Sequence, residues 1–395
     1  MPSQFSDLDL SVDTTISAGV TLRASDRDCT KISPINGGCA NGDGRTTGVN
    51  SDNGNLNFDQ GDFVNQTVKA TVDTQGTWEN YGFFLRPTAF YDVVYADNDL
   101  DFRNLDSEGK DQLDYDIDIL DAFVYGNWDI DGHYTMLRFG KQALNWGESL
   151  FIQGGVNAFQ ALDVTRIRTP GAELKDALTP MPMIFASTMV TPNFSVEAFW
   201  QFAYEETELD PAGSFFSPDM PFGVSDLEQN ASQLWGTSDP IPEFLGSDTA
   251  VFVVNAGFVY VQGASNHPLN RVGPEGAIRN PFAAALLTNG VTNAEYADDV
   301  SYGYRLVFAP AYNNAFGTPV TLTPSISWRH DLQGNSPGPN TANYLQGMKQ
   351  VSIGIDADYQ STYRASLSYT NIFGAGFNNP TFDRDFVMAS VSYAF

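Results

Sequence analysis

Residues 8 to 22 alternate without a break. Leu8, Leu10, Val12, Thr14, Ile16, Ala18, Val20 and Leu22 take the even positions, and Asp9, Ser11, Asp13, Thr15, Ser17, Gly19 and Thr21 lie between them. Period two over so long a run specifies an extended strand with one apolar and one polar face. A strand in a globular protein has about five or six residues. A tilted strand crossing a bilayer needs about 9–11 in the hydrocarbon. The run therefore suits a wall with lipid on one side and a polar lumen on the other.

The pattern recurs along the chain. Phe83, Leu85, Pro87, Ala89, Tyr91 and Val93 form one such face, and Leu120, Ala122, Val124, Gly126, Trp128 and Ile130 another. Further faces run through Phe194–Tyr204, Val320–Trp328 and Val351–Tyr359. Trp and Tyr gather near the strand ends, at Trp78, Tyr81, Trp128, Tyr204, Trp328 and Tyr359, as interfacial girdles require. Connections alternate between short turns (Glu79-Asn80, Asp131-Gly132, Thr191–Asn193) and long segments (24–64, 95–116, 145–182, 206–248, 331–347, 373–384). Short turns on one rim and long loops on the other is the asymmetry of outer-membrane barrels, with the short rim in the periplasm.

Thirteen segments alternate well. An even number is required when both termini start at one rim, so the expected fold is an all-β transmembrane antiparallel barrel of about 14 strands, with 12 to 16 admitted. Turn lengths make both 251–262 and 300–312 run downward, which places the missing upward strand within 263–299, Phe282 to Leu287 being the candidate. Leu113, Tyr115, Ile117 and Ile119 are odd while the apolar face from Leu120 onward is even. That phase change predicts a β-bulge at Ile119-Leu120.

The formal net charge of −28 excludes a basic nucleic-acid footprint, so no nucleic-acid partner is expected. There is no run of about 18 apolar residues, hence no transmembrane helix. Met1-Pro2-Ser3-Gln4 leads straight into the first strand, as a mature exported chain would after loss of its signal peptide. Cys29 and Cys39 sit in a polar, Gly-rich segment. A small-loop disulfide is the preferred reading, implying an oxidising compartment, against two unrelated thiols.

Chemistry-bearing residues are sparse. Inward positions carry mixed charges, including Arg86, Asp121, Arg138, Glu197, Arg305 and Arg329, as candidate lumen residues. Structural ion pairs are the bland alternative. Asp97, Asp99, Asp101 and Glu108 have the spacing of an EF-hand-like loop, but Phe102 stands where Gly is needed. They suggest a loosely held Ca2+ or a solvated acidic loop, and no other cofactor is implied. His133, His267 and His330 lie in no nucleophile motif, so no enzyme is expected.

One stretch breaks the alternation. Residues 145–182 are too long for a turn and too apolar for a plain loop, and are expected to fold inward as a plug or constriction. Trp146, Glu148, Phe151, Asp163, Arg166, Arg168, Glu173 and Lys175 are its candidate residues, with Arg166 and Arg168 facing Asp or Glu partners. Thr169-Pro170 reads as an N-cap with Pro at the first helical position, and Thr179-Pro180 as the stop. Two loops carry apolar patches, 214–222 and 280–290. These would capture a hydrophobic ligand or pack together to close the mouth.

The last strand, DFVMASVSYAF, ends an apolar alternation on Phe395 and resembles the signal read by the outer-membrane assembly machinery. Several segments together resemble a proteobacterial outer-membrane β-barrel family catalogued as a domain of unknown function, number thirteen hundred and two. They are DTTISAGVTLRASDRD, GNLNFDQGD, LDAFVYGNWDIDG, the block FGKQALNWGESLFIQGGVNAFQALDVTRIRTPGAELKDALTPMPMIFAS, VEAFWQFAYEET, SWRHDLQGNSP and the C-terminal stretch. The chain departs from the family at 221–299, where members carry more sequence. The resemblance implies an outer-membrane location and contact with membrane lipids and lipopolysaccharide. It also implies handling of lipid- or steroid-like compounds beside a periplasmic partner and an RND-type transporter. The expected function is an outer-membrane channel for hydrophobic or amphipathic compounds; a general diffusion porin and a non-transporting ligand- or partner-binding barrel are the alternatives.

Overall fold

The computed structural model describes residues 8–32, 36–38, 52–144, 160–203, 205–217, 230–237, 247–261, 298–336, 344–376, 379 and 381–395. Fourteen strands form one antiparallel sheet. They are β1 (Asp9–Arg23), β2 (Phe63–Trp78), β3 (Tyr81–Asp92), β4 (Tyr115–Ile130), β5 (His133–Gln142), β6 (Met181–Thr191), β7 (Phe194–Gln201), β8 (Asn230–Thr237), β9 (Thr249–Tyr260), β10 (Val300–Ala311), β11 (Val320–Gln333), β12 (Met348–Tyr359), β13 (Tyr363–Gly374) and β14 (Phe386–Ala394). Among the described residues, five short helices punctuate the long connections: α1 (Asn53–Leu56), α2 (Val93–Asp97), α3 (Ser107–Leu113), α4 (Val164–Ile167) and α5 (Leu174–Ala177). This is the all-β architecture of outer-membrane barrels, its strands paired in chain order.

The first and last strands meet. β1 pairs with β14, Thr15 opposite Ala394, and Phe395 exchanges two backbone hydrogen bonds of 2.9 Å with Thr14. The ladder ends at β7 and β8, which are not paired with each other among the described residues. Outward faces are apolar and exposed, as on β1 (Leu10, Val12, Ile16) and β12 (Ile353, Ile355), because lipid is their solvent. At the strand ends joined by short turns, aromatic rings touch in series, Trp78 with Tyr81, Tyr81 with Trp128, Tyr359 with Tyr363, and Tyr363 with Tyr393.

The expected bulge is present. Arg86 pairs with Asp121 and Pro87 with Ile119, leaving Leu120 as the extra residue. Ile117 is 78% exposed on the lipid side and Leu120 only 3%. One extra residue turns both Leu120 and Asp121 inward, which brings Asp121 to Arg86.

The fourteenth strand is not where turn lengths placed it. It is β8, inside the stretch expected to be one long loop. β9 and β10 are direct antiparallel neighbours, Val300 opposite Tyr260. β10 spends its other edge on β11, so no strand fits between β9 and β10. β9 therefore runs upward. Phe282 to Leu287 lies outside the described residues.

Candidate functional site

Residues 160–180 are held against inward-facing side chains of five strands. The segment is first tied to itself. Thr179 donates to the Ala161 carbonyl at 3.0 Å, and Leu162 bridges Leu178. Two short helices follow from two acidic caps. Asp163 accepts from the Arg166 amide at 2.9 Å, and Glu173 forms a capping box with Asp176. Thr169-Pro170 does not begin a helix as its composition suggested; it lies between α4 and α5. Gly171 has φ +76, and this left-handed residue turns the chain there instead of continuing a helix.

The tip of that turn lies on β1 and β14. A Cβ added at Gly19 would run into the Pro170 ring, and one at Gly171 would crowd Ser390. Glycine at both positions allows this close approach. Ion pairs hold the flanks. Lys69 of β2 pairs with Asp176, and Lys175 lies 3.6 Å from Asp73 on the same strand. Arg166 pairs with Asp116 of β4 and, at 2.8 Å, with its own cap Asp163. Glu173 lies 3.4 Å from Arg364 of β13 and 2.9 Å from Lys175. Arg168 pairs with Asp210, donates to the Phe216 carbonyl at 3.2 Å and covers the Phe216 ring. Trp146, Glu148 and Phe151 lie outside the described residues.

A second layer closes over this segment. Phe58, Val64, Tyr95, Leu105 and Phe215 form a buried cluster from four different connections and strand ends. Phe215 is fully buried, so the apolar patch at 214–217 packs into the mouth; 218–222 and 280–290 are outside the described residues. Two buried arginines lace the loops together through backbone carbonyls. Arg23 donates to Asn55 at 3.0 Å, Phe58 at 2.8 Å and Asp383 at 3.1 Å. Arg384 donates to Ser217 at 2.6 Å and also to Phe215. Arginine suits this role because its planar fork presents five donors and stays charged.

One acid in the segment after β7, Asp210, feels that enclosure, while Glu208 beside it keeps much of its surface in solvent. Burial pushes the Asp210 carboxyl above its ordinary range, with Arg168 opposing. Glu208 is also raised, by burial first and then by the negative charge of Asp163. Glu208 pairs by backbone with the inward segment, accepting from the Val164 amide at 2.9 Å.

The wall residues divide into pairs and ring contacts. Arg86 bridges Asp73 at 2.6 Å and Asp121 at 3.0 Å. Arg138 stacks over Phe185 and Phe123, with Glu197 contributing at longer range. Arg305 and Arg329 share one carboxylate, Asp331, at 2.8 and 2.6 Å. Asp331 also accepts from the Leu345 amide at 3.0 Å, tying β10, β11 and the loop before β12 together.

Several of these partners were not singled out from sequence. Asp73 and Asp116 occupy inward positions of the same alternation as Lys69 and Asp118, and that register was their signal. Asp331 looked like the start of a loop. In fact β11 continues to Gln333 with an irregularity at Leu332, since Tyr302 pairs with Gln333 and Gly303 with Asp331.

The calcium-like spacing is not gathered at one point. Asp97 ends α2 and Glu108 lies in the first turn of α3, two helices where a single continuous loop is needed. Among the described residues, the carboxylates that converge within 4.8 Å are Asp59, Asp62 and Asp101. Asp59 is already paired with Arg27, and Asp62 accepts from the Asp59 amide. Cys29 begins a short 3-10 turn at Cys29–Lys31, while Cys39, and with it the expected bridge, lies outside the described residues.

No functionally curated protein matches the chain. Among solved structures, it is similar to Salmonella typhi OmpF in complex with daunomycin, at 9% identity and TM-score 0.43, covering 100% of both chains. It is similar to OccK1 (OpdK) of Pseudomonas aeruginosa at 11% identity and TM-score 0.44, covering 98% of each chain. A BenF-like porin from Pseudomonas fluorescens Pf-5 gives 13% identity and TM-score 0.44, again over 98% of each. The family profile described as protein of unknown function DUF1302 matches residues 3–233 and 222–395. Because those two stretches span almost the entire sequence, the chain belongs to the DUF1302 family.

Proposed function

We propose that this protein is an outer-membrane channel for hydrophobic or amphipathic compounds, with residues 160–180 as its constriction. The observation that carries the reading is the inward segment itself. It crosses to β1, β2, β4, β13 and β14, and charge pairs hold it there without covalent anchorage to those strands. An apolar cluster that includes the fully buried Phe215 packs over it and would hinder water in the mouth above. Such a path disfavours hydrated ions and favours solutes that shed water readily. Lipid- or steroid-like cargo, and a periplasmic partner with an RND-type transporter as the inner part of an export route, are proposed from family resemblance.

The test is a planar bilayer recording paired with proteoliposome efflux of an amphipathic fluorescent probe. Expected are small, intermittent ion currents together with probe flux above that of empty vesicles. A large, steady, ohmic current would favour a general porin and sink the constriction. Absence of both current and flux would leave a barrel that binds without transporting.

A further inference from the structure

The chain carries few cations on its strands, and nearly all are spoken for. Arg23, Lys69, Arg86, Lys141, Arg305, Arg329 and Arg364 have carboxylate partners, and Arg138 lies over aromatic rings. Among the described residues, Lys349 of β12 is the strand cation with neither. It belongs to the outward face, in line with the apolar residues Val351, Ile353, Ile355 and Ala357. At neutral pH an ammonium on a lipid-facing wall is costly unless it reaches headgroups or a counter-ion.

Its height fits headgroups. Lys349 and Tyr359 stand ten residues apart at opposite ends of β12. At about 3.3 Å per residue and a tilt of about 40°, that is about 25 Å, the height of the apolar band of such barrels. Tyr359 belongs to the periplasmic girdle, so Lys349 lies at the outer interface, on the side of the long loops.

Its neighbours form an amphipathic platform. His330 of β11 is directly opposite Lys349 on one side and Phe373 of β13 on the other. Trp328 is one outward position below His330. Its ring lies 6.1 Å from Phe373, and its indole N–H donates to the Tyr304 hydroxyl at 3.2 Å. One outward carboxylate stands a strand further on, Asp385. It is occupied by Tyr369 at 3.0 Å, Asn371 at 2.6 Å and the Ile372 amide at 3.0 Å. The periplasmic girdle of Trp78, Tyr81, Trp128, Tyr359, Tyr363 and Tyr393 contains no Lys or Arg.

We propose that Lys349, His330, Trp328 and Phe373 form a docking site on the outer wall for the phosphorylated sugar head of lipopolysaccharide. Lys349 supplies the charge for a phosphate, His330 a further polar contact, and the rings a flat apolar bed for sugar faces and proximal acyl chain. A protein of net charge −28 repels anionic glycolipid in general; a single unpaired cation at the correct height gives that lipid a defined place against the wall. This assignment is independent of what passes through the lumen and rests on the outward orientation of the long loops.

Native mass spectrometry of the intact protein in detergent tests it, with four probes: bis-phosphorylated lipid A, dephosphorylated lipid A, phosphatidylethanolamine and inorganic phosphate. Bis-phosphorylated lipid A should be retained best. Lys349→Gln should weaken its binding about fivefold, the scale of one Lys at an anionic membrane surface, and Lys349→Arg should restore it. Equal retention of phosphorylated and dephosphorylated lipid A overturns the proposal, as does unchanged binding by Lys349→Gln. Competition by millimolar inorganic phosphate alone would make this a free-anion site and overturn the glycolipid assignment. Ion currents of Lys349→Gln in bilayers report separately on the channel.

Discussion

Arg305 and Asp331 face each other across two strands with 2.8 Å between Nη1 and Oδ1, and the carboxylate has no exposure to solvent. Asp331 is also the partner of Arg329 and of the Leu345 amide. Removing one side of such a buried group leaves uncompensated charge, which costs about 3–5 kcal/mol. Asp331→Asn should therefore lower the unfolding free energy of the folded barrel in detergent by an amount of that order, read as a lower urea midpoint. An unchanged midpoint would show that Arg305 and Arg329 find other partners or water.

Tyr344 packs beside this cluster with the Arg305 guanidinium 5.5 Å from its ring centre. Its hydroxyl has no hydrogen-bond partner among the described residues although the residue is fully buried, and burial pushes its ionisation up to about 12. An unsatisfied buried hydroxyl is a liability, so Tyr344→Phe should leave stability unchanged or raise it by up to about 1 kcal/mol. Tyr344→Ala, which removes the ring as well, should cost about 3–5 kcal/mol. Urea unfolding of both variants distinguishes ring packing from the hydroxyl; a clear loss in Tyr344→Phe would mean that an ordered water serves the oxygen.

How far the sequence revealed this arrangement depended on whether a feature left a mark in the alternation. The bulge at Leu120 did, because an extra residue exchanges odd for even and the exchange is visible between Ile119 and Leu120. β8 did not: NASQLWGT is short and its apolar residues do not alternate over enough positions to mark a face. The Pro170 turn was misread because Thr-Pro suits both an N-cap and a turn, and Gly171 decides between them. The partners of Arg166 and Arg168 are a contrast within one segment. Asp163 is three residues from Arg166 and readable locally, whereas Asp116 reaches Arg166, and Asp210 reaches Arg168, only through the tertiary fold. Loop packing through backbone carbonyls, as made by Arg23 and Arg384, leaves no side-chain pattern to read.

Asp210 gives a pH signature. Its carboxyl is raised in the fold, by burial first, from an ordinary value of 3.8. A group raised this way holds its proton longer when folded than when unfolded. Its contribution to stability is therefore fully present below pH 3.8 and is lost as pH climbs through the folded value. Glu208 acts in the same sense. Asp210→Asn should flatten that part of the stability profile above pH 4, and Asp210→Asn with Glu208→Gln should flatten it further. Urea midpoints measured across the acid range check this; a wild-type slope retained in both variants would assign the titration to other carboxyls.

The inward segment is the part whose release should change transport. Lys69 pairs with Asp176, and both are largely shielded from solvent. Lys69→Met keeps the aliphatic stem and removes the charge, leaving the Asp176 carboxylate to Asp176's own capping bond with the Glu173 amide at 2.8 Å. The penalty applies only while the segment lies against β2, since a displaced segment regains water. A bias of about 3 kcal/mol changes the ratio of displaced to seated segment by about 150-fold. A seated state populated at 99.9% would then fall to about 87% by the same arithmetic. Single-channel recording of Lys69→Met should show openings far more frequent than in the wild type, with unchanged unitary size if the same path is used. Lys69→Arg should retain the wild-type record. If Lys69→Met folds normally yet opens no more often, charge pairing does not hold the segment, and its contacts with Gly19 and Ser390 carry the closed state instead.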